Sequence, residues 1–129
     1  MKRDMDLIRE ILLKIEEHDV NSPSSANIEI EGYSPREVYE HARLMENAGL
    51  IEDAHFDLAG NTWVQRITWS GYDYLDKVRD NTVWKKTKDV IKEKGLPLVF
   101  DTIKTIASAF ITAAAEGVAN SIIKNGGQV

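Results

Sequence analysis

From residue 34 to 51 the apolar positions recur at helical spacing, with Val38, Ala42 and Met45 on one face. Ser34 is placed to cap this helix. Pro35 suits its first position, where a missing N–H is no loss, and Glu37 completes a capping box. Gly49 supplies the left-handed residue that stops it, and Leu50 and Ile51 turn back into a core. The pattern then alternates. Residues 52–57 and 62–69 read as two strands joined by a hairpin loop at 58–61, where Gly60 or Asn61 can take positive φ. Trp63, Gln65, Ile67 and Trp69 share one face of the second strand, and Trp69 is expected to anchor the hairpin to the core. Trp63 is expected to pack across the strands, with contact to a partner at the wing as the alternative.

Helical spacing also marks residues 4–18, where Met5, Ile8, Ile11, Leu12 and Ile15 form a stripe and Arg9, Glu10, Lys14, Glu16 and Glu17 face water. Asp4 and Asp6 suit the positive end of that helix, and His18 its negative end. Residues 21–26 are turn-forming, and 27–31 read as a short strand with Ile28 and Ile30 inward. Ser70 is expected to cap a helix over 70–80 with Tyr72, Leu75 and Val78 or Arg79 inside. A basic helix follows over 83–93, burying Val83, Thr87 and Val90 or Ile91.

Residues 98–124 read as a last helix, rich in alanine and nearly free of charge. A small-residue stripe runs through Thr105, Ala109, Ala113, Gly117 and Ser121. A bulkier one runs through Ile103, Ile106, Phe110, Ala114, Val118 and Ile122. Its longest uncharged run, 105–115, falls short of the ~20 residues that cross a bilayer, so no transmembrane span is expected. So apolar a helix must cover its own chain or a second one. The expectation is a homo-oligomer joined through Ile103, Ile106, Ala109, Phe110, Ala113, Gly117, Val118 and Ile122.

The elements predict an α+β fold, mostly α: a winged-helix-like domain over 1–94 and a packing or oligomerisation helix with a loose tail over 95–129. The helix-turn-helix is reduced, because only two residues separate the short strand from Ser34, leaving no room for the usual supporting helix.

Composition narrows the function. The 129 residues hold no cysteine, which excludes disulfides and thiol chemistry and fits a cytoplasmic setting. The net charge of −5 argues against a general nucleic-acid binder, but it is uneven: −9 over 1–76, +4 over 77–94 and neutral beyond. Arg36, Arg43 and Asn47 on the central helix could read base edges, although Glu37, Glu40 and Glu46 share that face. Trp63 and Arg66 on the wing and Lys85, Lys86 and Lys88 beside it complete a candidate contact surface for nucleic acid or a protein partner. Catalytic signatures are missing from the sequence. Glu37 and His41, one turn apart, read as a surface hydrogen bond ahead of a shared metal, so no enzyme, cofactor or metal is expected.

Three blocks, MKRDMDLIREILLKIEEHD, GYSPREVYEHARLMENAGLIE and RITWSGYDYLDKVRDNTVWKKTK, resemble the family called domain of unknown function 2513, small proteins of bacteria, their phages and prophages. More distantly the layout is similar to YjcQ-type winged-helix proteins. The resemblance implies a winged-helix fold and a phage or prophage setting, and it transfers no site residues. The function expected is a non-enzymatic binding module, a small regulator that meets nucleic acid as an oligomer. The alternative is a protein-interaction module that has lost DNA binding.

Overall fold

The computed structural model describes residues 1–17 and 27–126. The expectations for His18 and for the turn at 21–26 lie outside the described residues. Five helices and a two-stranded antiparallel sheet occur among them, so the fold is α+β and mostly helical. The chain divides into two compact units, Met1–Asp76 and Lys77–Val129.

The first unit begins with α1 (Met5–Glu16). Asp4 caps it, its carboxylate accepting from the Asp6 and Leu7 N–H groups. The stripe Met5, Ile8, Ile11, Leu12 and Ile15 is buried as its spacing predicts, and Leu7 joins it. Arg9 is a correction. Expected in water, it is only 5% exposed, its guanidinium 3.3 Å from Glu10 Oε1. Its long aliphatic stem lets it cover apolar neighbours.

Residues 27–31 are not a strand. Ile28 is buried and its N–H donates to the Thr62 carbonyl, while Asn27 Oδ1 accepts from the Thr62 N–H; no regular ladder forms. Helix α2 (Pro35–Asn47) has the expected capping box, with Glu37 N–H on Ser34 Oγ and Glu37 Oε1 on Ser34 N–H. Gly49 ends it at φ 78°. Val38, Ala42 and Met45 are buried, and so is His41.

Strands β1 (Ile51–Phe56) and β2 (Thr62–Ile67) pair in register from Ile51 opposite Ile67 to Phe56 opposite Thr62. Asp57 builds the loop: Oδ1 accepts from Ala59 and Asn61 N–H, and Oδ2 from the Asn61 amide. Those donors, the Asn61 backbone first, hold the Asp57 carboxyl below its ordinary range. Gly60 takes the positive φ, 88°. Both α1 and α2 pack on the hairpin and on each other, so the core lies where Leu7, Ile11, Leu12, Val38, Met45, Leu50 and Ile51 are buried.

Helix α3 (Trp69–Val78) starts one residue earlier than expected, and this overturns three readings, the Ser70 cap, the Trp69 anchor and the inward Tyr72. Thr68, not Ser70, caps it, its Oγ1 accepting from Gly71 N–H and donating to the Gly49 carbonyl. Trp69 is 84% exposed and anchors nothing. With the helix so phased, Tyr74, Leu75 and Val78 are buried, while Tyr72 is exposed. Gly71 fits because it lacks a side chain: a Cβ there would run into the Leu50 carbonyl oxygen and stand 2.6 Å from Ile67 Cγ2.

The second unit holds α4 (Asn81–Glu93), capped by Asp80, and α5 (Phe100–Gly126). The two helices pack on one another. Helix α4 buries Trp84, Thr87 and Ile91; Val83 and Val90 are half-buried. Helix α5 buries Ile103 and Ala107, and from Ile111 to Ile123 every residue is exposed.

Candidate interaction surfaces

The outward face of α2 is exposed because its inner face carries all the apolar residues that the core needs. Arg36, Arg43 and Asn47 are exposed on it. Two of the three are already engaged. Arg36 Nε is 3.1 Å from Glu40 Oε1, one turn on. Arg43 Nη1 donates to Tyr39 Oη at 2.9 Å, and its guanidinium carbon lies 5.9 Å from the Tyr39 ring centre. That hydrogen bond is the main reason the Arg43 side chain holds its proton more tightly than usual. Tyr39 in turn stacks on Phe56 of β1, ring centres 4.2 Å apart, tying the face of α2 to the hairpin.

On the hairpin, Arg66 Nε lies 2.6 Å from Glu52 Oε2, its cross-strand neighbour. Trp63 sits opposite His55 and is half-buried. Every arginine of the candidate surface therefore has a carboxylate or phenol partner on that same surface. Solvent-exposed contacts of this kind add little to stability, so they bear on recognition more than on stability.

Lys85, Lys86 and Lys88 belong to α4, in the second unit. Lys85 and Lys86 are exposed, while Lys88 is half-buried with Nζ 5.3 Å from the Trp84 ring centre. On α5, Ile103 is fully buried inside the chain, and Ile106 and Phe110 are half-buried. Ala109, Ala113, Gly117, Val118 and Ile122 are exposed. By length and composition Phe100–Ile123 is long and apolar enough to cross a membrane.

One cluster has no local signature in the sequence. Tyr33 Oη donates to Asp4 Oδ2 at 2.8 Å, and the Asp4 N–H donates to His41 Nε2 at 2.9 Å. His41 Nδ1 lies 2.8 Å from the Glu37 carbonyl oxygen. A carbonyl only accepts, so Nδ1 carries the proton and Nε2 is the acceptor. Both ring nitrogens are thus used within the fold, and Glu37 meets His41 through its backbone. The hydrogen bond to Asp4 pushes the Tyr33 phenol up to about 12. Among the described residues no group of three or more histidine and acidic side chains could hold a metal ion.

Comparison with known proteins adds a family. The model of the hypothetical-protein family DUF2513 matches residues 2–97. An uncharacterised protein of Haemophilus influenzae is 40% identical over 114 residues, covering 87% of this chain and 97% of that protein. No solved structure matches. With three quarters of its length under the family's model, the chain belongs to the DUF2513 family.

Proposed function

We propose that this chain is a non-enzymatic, winged-helix-like binding module, a small phage- or prophage-associated regulator, in which α2 stands in the place of a recognition helix and the β1–β2 hairpin in that of a wing. One arrangement carries the reading: a capped, stopped helix runs directly into a two-stranded hairpin that packs against it and leaves its polar face in solvent.

The partner that fits the α2 face best is a protein. Arg36, Arg43 and Arg66 each have a partner on their own surface, and the sequence up to residue 76 carries −9. Phosphates would have to displace those partners against a repulsive field. Nucleic acid is the second reading. Lys85 and Lys86 favour it, being exposed on a stretch of +4.

Mobility shifts on duplex fragments separate the two. Nucleic-acid binding should fall steeply between about 50 and 200 mM salt, and Lys85→Glu with Lys86→Glu should abolish it. No shift at the lower salt leaves the protein reading. Self-association through the small-residue side of α5 belongs to the same proposal. Gly117 is open to solvent, and a Cβ added there would have nothing within 4 Å, so Gly117→Leu should not disturb the fold. If close helix approach joins the copies, that variant should scatter light as a smaller species; an intact chain already monomeric at high concentration refutes the oligomer.

A further inference from the structure

We propose that residues 111–123 of α5 lie in the headgroup boundary of an anionic bilayer, with the lysines of α4 against the lipid phosphates. This goes beyond the binding-module reading and does not depend on it.

The observation is an apolar helix end with no cover inside the chain. Val118, Ile122 and Ile123 are 60%, 65% and 71% exposed. The sides of this segment differ. At 100° per residue, Ile111, Ala114, Val118 and Ile122 fall on one side, and Thr112, Glu116 and Asn120 fall opposite, with Ile123 among them. A helix lying flat can therefore bury the first set and keep the Glu116 carboxylate among headgroups. Spanning suits it less. The first turns of α5 are held on α4 through Ile103 and Ala107, and the free part reaches only ~20 Å against a hydrocarbon core of ~30 Å. Glu116 would then sit deep in hydrocarbon, where carboxylates are rare.

Charge selects the lipid. The stretch 77–94, which contains α4, carries +4, and Lys85, Lys86 and Lys92 are exposed on it. An anionic leaflet attracts both these lysines and the apolar segment that follows them in the same unit. Two such signals together give the firm attachment that either alone does not.

The test is co-sedimentation of the full chain with vesicles of phosphatidylcholine alone, or with about one third phosphatidylglycerol. At about 0.1 M salt the chain should bind the anionic vesicles at least tenfold better. Val118→Glu, at a position too exposed to disturb the fold, should lower that binding about tenfold or more. Lys85→Glu with Lys86→Glu should erase the preference for anionic lipid. Failure to bind anionic vesicles, equal binding to both compositions, or full binding by Val118→Glu each overturns the proposal. A stable dimer that ignores vesicles and falls apart on Val118→Glu also overturns it, and leaves the binding-module reading standing.

Discussion

Tyr33 donates its hydroxyl to Asp4 Oδ2 at 2.8 Å across 29 residues of chain, while Asp4 Oδ1 caps α1. One carboxylate thus starts a helix and holds the segment that leads into the next. Tyr33→Phe keeps the ring and removes the bond, and should lower stability by about 1 kcal/mol at neutral pH. The pH dependence follows in sign. The phenol rises from 10.0 to about 12 on folding, so the protonated form is favoured in the folded chain. Its contribution is complete below pH 10 and is lost as pH climbs toward 12. Denaturant midpoints of the wild type should decline over that window more steeply than those of Tyr33→Phe.

His41 is 1% exposed and joins the start of α1 to α2 through its two ring nitrogens. His41→Phe keeps most of the volume and loses both bonds, leaving the Asp4 N–H without its acceptor. A loss of about 2–3 kcal/mol is expected, read from urea unfolding. Hydrogen exchange at the Asp4 amide should rise as well.

Gly71→Ala should be among the most damaging small changes in the chain. Its methyl would collide with the Leu50 carbonyl oxygen, so α3 and the hairpin must part. A loss of about 3 kcal/mol is expected, with a lowered thermal midpoint as the measurement.

Asp53 has φ 56°, in the left-handed region, within β1. Asp53→Gly should be neutral or stabilise by about 0.5 kcal/mol, and Asp53→Val should destabilise by about 1–2 kcal/mol. Equal stability of the two variants would show that the strain is absent in solution.

What is legible in the sequence is local. The cap, the stop and the buried face of α2 depend on contacts three or four residues apart, and so does the loop that Asp57 and Gly60 close. Trp69 defeats a reading by alternation because the alternation of β2 stops two residues short of it. The ladder ends at Ile67, Thr68 turns the chain, and the Thr68 hydroxyl starts a helix whose phase sends the indole outward. Ile28 carries an apolar signal indistinguishable from a strand's, but only its contact with Thr62, far along the chain, decides what it does. The partners of His41 and Tyr33 at Asp4 are equally distant in sequence. On the candidate surface the arginines are legible as exposed. Their ring and cross-strand partners, Tyr39 and Glu52, become visible only once the helix and the hairpin are in place.

The close seat of Gly71 also bears on descent. A position where even a methyl meets a main-chain oxygen admits a single amino acid, so drift among related chains should bypass it and the residues it touches, Leu50 and Ile67. Divergence would then collect at the hairpin tip, where Leu58 is fully exposed and nothing inside the fold limits the choice.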